Sequence, residues 1–357
     1  MRAGATRTTT RTATRTRSRN MRVDGQLGGP LDQVAARARE LEELGYDGGV
    51  TSETNHDPFL PLLVAAQHTE RLAIATAVAI AFARTPMTVA TIADDLQLAS
   101  KGRFTLGLGS QIKPHIERRF SMPWSQPAAR MREFVLALRA IWSAWETGSK
   151  LDFRGEFYTH TLMTPYFDPG PNPYGAPKVF LAAVGDRMTE VASEVADGMI
   201  VHPFTTERYV RDVTLPALER GFAVSGKTRA DFTVSLRVFV VSGATDEEWA
   251  TSRRLAKEQI AFYGSTPGYR GVLELHGWGD LGAELNQLSR RGEWVEMGEL
   301  ITDDVLDAFA IVAAPDEIAP AMIARFGDVV DRMGFEAPPD AAADVWPRAR
   351  DALHAAG

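Results

Sequence analysis

The sequence predicts an α/β chain folded as a closed (β/α)8, or TIM, barrel, with a long insertion between its seventh and eighth strands. Three observations predict it. From Met21 onward, short β-rich runs alternate with longer helical patterns, and repeated βα alternation makes a parallel sheet. The runs number eight, the count that closes such a sheet. The first run is followed by "LGGPLDQ", which lacks the glycine fingerprint usual in an open doubly wound sheet.

The eight strand runs are residues 21–27, 48–53, 72–80, 104–109, 178–184, 198–201, 232–241 and 330–335. Helical patterns between them include 30–44, 85–100, 130–146, 189–196 and 206–225. The run "LAIATAVAIAF" (72–82) is the longest strongly apolar stretch. It is far below the roughly 20 residues of a membrane helix and reads as a buried strand. Two stretches exceed what a barrel needs. Residues 150–177 open with a hairpin pattern, "LDFRGEFYTH", and as an αβ connection are expected on the bottom face. Residues 247–315 follow strand seven, and a βα connection opens on the catalytic face. That insertion is a candidate lid or pocket wall, with a dimerisation element as the alternative.

Composition sets the bounds. The 357 residues are 45% hydrophobic, enough for a sizeable core. No cysteine is present, which excludes disulfides, Cys-ligated zinc, iron–sulfur clusters and a thiol nucleophile. A cytoplasmic location suits that composition. Residues 1–20 carry six Arg and no acid, so they are expected to form a disordered, dispensable tail ahead of a barrel spanning 21–357. Without that tail's six Arg the formal charge of −7 becomes −13. So acidic a body argues against nucleic acid as a partner, and no segment argues for a membrane.

In a barrel, chemistry collects at the C-terminal ends of strands. Strand two ends in "SETNHDPF", with Glu53 and His56; strand four in "GLGSQ", with His115 beyond; strand six in "VHPF", with His202. Each has a plainer reading: Glu53 as the partner of an Arg, His56 and Asp57 as a capped turn, His202 as a half-buried structural histidine. The seven His are scattered and include no His-x-His pair, so no metal site is expected. "GLGSQ" is not a nucleophile elbow.

The stretches "LGYDGGVTSETNHDPF", "RTPMTVATIADDLQLASKGRFTLGLGSQ", "FLAAVGDRMTEVASEVADGMIVHP" and "DVLDAFAIVAAPDEI" resemble the bacterial-luciferase-like monooxygenases, nearest to their coenzyme F420-dependent oxidoreductases. The likeness covers about residues 21–335. It implies F420, or alternatively FMN, at the C-terminal face of the barrel. It further implies a non-prolyl cis peptide at Ala77–Val78 behind the ring. Gly107 and Gly109 would let the backbone lie beside the ring, bordered by Ser110 and Gln111. The cofactor phosphate would sit near Ala183, Val184 and Gly185 with Asp186 turned away, or else the phosphate sits elsewhere. Glu53 would border the ring, and His56, His115 or His202 would handle a proton. Arg118 and Arg119 are expected to meet the glutamate tail of F420.

The function these residues imply is hydride transfer between C5 of a deazaflavin and a small organic substrate. The alternatives are an FMN-dependent monooxygenase using O2, or a flavin-binding barrel without turnover. The 33 Arg against 6 Lys lean toward a GC-rich genome, where F420 is commoner. A homodimer is expected.

Overall fold

The structure is a computed structural model, and it describes residues 21–336 and 345–356. The expectation for residues 1–20 lies outside the described residues.

Eight parallel strands close into the barrel in the order β1 (Arg22–Gln26), β2 (Gly48–Thr51), β3 (Ala73–Thr76), β5 (Phe104–Gly109), β8 (Lys178–Ala183), β9 (Gly198–Val201), β10 (Thr233–Val241) and β12 (Arg332–Glu336), which returns to β1. Each strand is short and apolar because both faces are covered, inward by the barrel core and outward by helices. At the seam, Arg332 of β12 donates to the carboxylate of Asp24 on β1, so the closing pair of strands is also an ion pair.

The outer helices are α1 (Val34–Glu43), α2 (Leu60–His68), α3 (Pro86–Ala99), α4 (Pro127–Thr147), α5 (Asp186–Val195), the single turn α6 (Glu207–Tyr209), α7 (Leu215–Ser225), α13 (Ile318–Phe326) and α14 (Val345–Ala356). The pattern over 206–225 is not one helix. Between α6 and α7 the turn widens into a π-helix, Val210–Thr214, with Pro216 just beyond. A proline has no N–H to give to the preceding turn, so an ordinary ladder cannot run through it.

Strand three also differs from expectation. It stops at Thr76 and resumes as β4 (Ala79–Ile80), which pairs Ala79 with Leu108 and Ile80 with Gly109. Residues 77 and 78 bulge out between the two pieces.

The hairpin expected in 150–177 is β6 (Phe153–Arg154) against β7 (Thr159–His160). It does not stay on the bottom face. Glu133, in the second turn of α4, accepts the N–H groups of Glu156, Phe157 and Tyr158, and Arg130 donates to the Tyr158 hydroxyl. These bonds carry the hairpin up to the first turns of α4. Residues 172–174 return to the lower end of α3, where Asn172 bonds Asp94.

The insertion follows β10 as α8 (Asp246–Gly264), α9 (Arg270–Leu275), α10 (Gly279–Arg291), α11 (Trp294–Glu299) and α12 (Asp303–Phe309), then the short strand β11 (Ala310–Val312). Phe239 of β10 pairs with Ala310 on one side and Glu336 on the other, so β11 extends the sheet above the end of β9. Ile260, Leu273, Leu285, Met297 and Leu306 bury together with Phe204 and Phe239 as a core distinct from that of the barrel. An insertion with its own core is a fixed wall rather than a loose flap.

Candidate functional site

The candidate site is built around the bulge at the end of β3. The peptide bond between Ala77 and Val78 is cis. The end of β2 holds it on every side. Ala77 N–H donates to the Thr51 carbonyl at 2.6 Å, Ser52 Oγ donates to the Ala77 carbonyl at 2.9 Å, and Glu53 N–H donates to the Val78 carbonyl at 3.1 Å. The Glu53 carboxylate then accepts Ile80 N–H at 2.7 Å and Arg84 Nη1 at 2.7 and 3.0 Å. Its side chain is 6% exposed. Arg84 continues to Asp57 at 3.3 Å, and Asp57 caps the start of α2 through Phe59 and Leu60 N–H. Glu53 thus spends its charge on the frame around the bulge.

The bulge also explains the glycines at the end of β5. A Cβ on Gly107 would overlap the Thr76 carbonyl, and one on Gly109 would stand 2.7 Å from Val78 Cγ2. Both spaces are filled by the chain's own backbone and side chain, so the Gly-x-Gly spacing serves the bulge before it serves any ligand. Thr76 Oγ1 donates to the Gly107 carbonyl and accepts its N–H, replacing the ladder where β3 breaks off. Beyond Gly109, Gln111 takes a left-handed backbone, φ 60°. Ser110 Oγ turns to the Gln111 carbonyl, and Gln111 Oε1 to Ile112 N–H, so both side chains are engaged in their own turn.

The expected basic stretch divides. Arg119 donates to the Thr54 carbonyl and lies over the Phe120 ring, and Lys113 pairs with Glu117 at 3.8 Å. Arg118 is exposed, with no ion pair among the described residues.

The amino end of α5 opens at Gly185, with no side chain capping its first turn. Asp186, in the first turn, pairs with Arg220 at 3.3 Å. Arg187 is exposed and unpaired among the described residues. Ala183 is buried in β8, and the Val184 carbonyl accepts the Tyr209 hydroxyl at 3.2 Å.

The three candidate histidines have different surroundings. His56 and His115 are exposed, and neither imidazole has a hydrogen-bond partner among the described residues. His202 sits in a cage of rings. Tyr263 lies edge-on at 4.7 Å and Tyr269 is tilted at 4.6 Å, both from the insertion. Its Nδ1 accepts Phe204 N–H at 3.0 Å, so the neutral ring carries its hydrogen on Nε2. Burial among the rings pushes its pKa down to about 4. The same cause pushes Tyr269 up to about 12. Thr206, the N-cap of α6, also bonds His276 Nε2 at 2.8 Å, which ties the insertion to the barrel.

Arg84, Thr76, Tyr263 and Tyr269 were not candidates in the sequence reading. Arg84 follows from asking what neutralises Glu53. The tyrosines stand in "YGSTPGYRG", whose Gly, Pro and aromatic residues mark a shaped turn rather than a helix surface. Among the described residues no three acidic or His side chains cluster as a metal site, and no helix is long and apolar enough to cross a membrane. A cleft of about 320 Å3 between α3, α4 and residues 170–176 lies outside the barrel and shares no residue with the strand ends.

A model of the luciferase-like monooxygenase family matches residues 9–332. An uncharacterized protein of Mycobacterium tuberculosis is 57% identical over 313 residues, 88% of this chain and 92% of the relative. A 5,10-methylenetetrahydromethanopterin reductase of Archaeoglobus fulgidus is 26% identical over 286 residues, 78% of this chain and 81% of that one. Among solved structures, the coenzyme F420-dependent tetrahydromethanopterin reductase of Methanopyrus kandleri shares the fold, with TM-score 0.75 at 17% identity over 95% of this chain and 98% of the other.

Proposed function

Because the chain belongs to the luciferase-like monooxygenase family, we propose that it is an F420-dependent oxidoreductase acting on a small organic substrate. The observation that carries this reading is the open end of α5. Its first turn is uncapped, Asp186 is paired with Arg220, and Arg187 has no partner among the described residues. A helix amino end with a nearby guanidinium is a place for a phosphate. It lies at the strand ends beside the Ala77–Val78 bulge and Ser110, where a flat ring would rest. The reductase relative favours reduction without O2, and the unpaired Arg118 favours a cofactor with a long anionic tail.

When bound, the deazaflavin supplies the hydride chemistry. The chain's own residues do the rest. Glu53, Ser52 and Thr51 hold the bulge in one shape. The insertion walls the face at His202 through Tyr263 and Tyr269. His202, neutral at pH 7, keeps Nε2–H as a donor and is the histidine best placed to hold a substrate oxygen, ahead of the exposed His56 and His115.

The test is a titration of the purified protein with F420 and, separately, with FMN, followed by absorbance. Tight binding of F420 with weaker binding of FMN is expected. Tight FMN binding with O2 consumption would replace this reading with the flavin monooxygenase.

A further inference from the structure

His202 comes from the end of β9 and Tyr269 from the turn Pro267–Tyr269 of the insertion, 67 positions later in the chain. Their ring centres are 4.6 Å apart. The surrounding polar atoms are paired: His202 Nδ1 with Phe204 N–H, and the Tyr263 hydroxyl with Gln259 at 3.4 Å. His202 Nε2–H and the Tyr269 hydroxyl have no hydrogen-bond partner among the described residues. Neither is a sealed, unsatisfied atom, so each keeps access to the solvent. Two neighbouring donors, one from the barrel and one from the insertion, are thus left over on an otherwise apolar wall. Polar groups in such a setting take an acceptor when one arrives.

We infer that His202 and Tyr269 act together as a donor pair that holds one oxygen of the substrate, and that the substrate is a neutral carbonyl compound or the matching alcohol. The substrate part rests on the oxidoreductase reading above. The rings packed around the pair, Tyr263 and Phe204, bring no charge to balance an anion, so the setting suits a neutral substrate. Burial keeps the imidazole uncharged and the phenol protonated at pH 7, so both donate and neither brings a positive charge to balance a carboxylate or phosphate. In the reducing direction bound reduced F420 would supply a hydride to the carbonyl carbon, and the C=O π pair would move onto oxygen. That oxygen takes the Tyr269 proton, and water restores the phenol. An alkoxide is a far stronger base than a tyrosinate, so the transfer runs downhill, while His202 Nε2–H steadies the charge as it develops.

Two measurements test this. In the first, cyclohexanone labelled with 13C at the carbonyl is added to the full chain without cofactor. A carbonyl shift to lower field is expected with the wild type, and its loss is expected with Tyr269→Phe and with His202→Leu. 15N-histidine spectra of each variant report that the fold is kept. In the second, the protein loaded with reduced F420 is mixed with cyclohexanone or benzaldehyde, and return of the oxidised absorbance is followed. Tyr269→Phe is expected to lower kcat/KM by roughly 100-fold while leaving F420 affinity within about twofold. An unchanged carbonyl shift in folded Tyr269→Phe would overturn the donor pair. Bound F420H2 that no carbonyl compound reoxidises would overturn the substrate class. A carbonyl shift in a protein that binds no F420 would instead uphold the pair and sink the cofactor reading.

Discussion

The Thr76 hydroxyl donates to the Gly107 carbonyl at 2.7 Å and accepts the Gly107 N–H at 2.9 Å, so one side chain bridges the place where β3 leaves the sheet. Both residues lie inside the barrel wall, and water cannot replace the bonds. Thr76→Val keeps the shape and strands two buried backbone groups. Urea unfolding is expected to show a loss of about 3 kcal/mol, at roughly 1–3 kcal/mol per unpaired group. Gly107→Ala is expected to lose more, because its Cβ overlaps backbone that cannot step aside.

Glu53 and Arg84 form a pair whose side chains are 6% and 17% exposed. Glu53→Gln removes the nearer counter-charge and leaves the little-exposed guanidinium only its longer contact to the exposed Asp57. The expected cost is about 3 kcal/mol in urea unfolding, in the range for breaking a buried pair. Cofactor affinity should fall as the bulge loosens, while the pH profile of turnover keeps its midpoints. Lost turnover with cofactor affinity kept would mean that Glu53 acts in the reaction and is more than a frame residue.

His202 links stability to pH. Its folded pKa of about 4 lies below the ordinary value of 6.5, so between those values the unfolded chain binds a proton that the folded chain refuses. Folding is therefore expected to weaken as pH falls from about 6.5 to about 4, by on the order of 3 kcal/mol from this residue. His160 and His276 are lowered by the same cause and act in the same direction. The check is urea unfolding at pH 7 and near pH 4.5 for the wild type and His202→Gln, with a shallower pH dependence expected in the variant.

The two arginines at 118 and 119 are expected to behave differently despite being neighbours. Arg119→Gln removes the hold on the Thr54 carbonyl, so it should weaken F420 and FMN binding alike. Arg118→Gln removes only an exposed charge. It should weaken F420 by a few-fold to about tenfold and FMN less, with the loss shrinking at high salt. Titrations of both cofactors at low and high ionic strength separate the two cases.

Around α5, Arg187→Gln should lower affinity for either cofactor, since both carry a phosphate. Asp186→Asn should raise it slightly or leave it unchanged, because the carboxylate is turned to Arg220. Equal losses from both substitutions, read in the same titrations, would show that the phosphate rests elsewhere.

What the sequence by itself determined is the barrel: eight apolar runs in order, the helices between them, and an insertion after the seventh strand. These are local properties, because a strand buried on both faces must be apolar along its length wherever its neighbours come from. The polar strand ends were legible for the same reason, since a run that stops being apolar has reached the rim. Tertiary structure decided the rest. Why Gly107 must be glycine depends on Thr76, 31 positions earlier and brought close only by the bulge. Glu53 became a frame residue because Arg84 and Ile80 N–H converge on it. His202 is set apart from His56 and His115 by Tyr263 and Tyr269, which stand far along the chain and meet it only when the insertion folds back over the strand ends. A histidine's acidity and its free nitrogen are set by what surrounds the ring, and that surrounding is assembled from distant segments that no local pattern records.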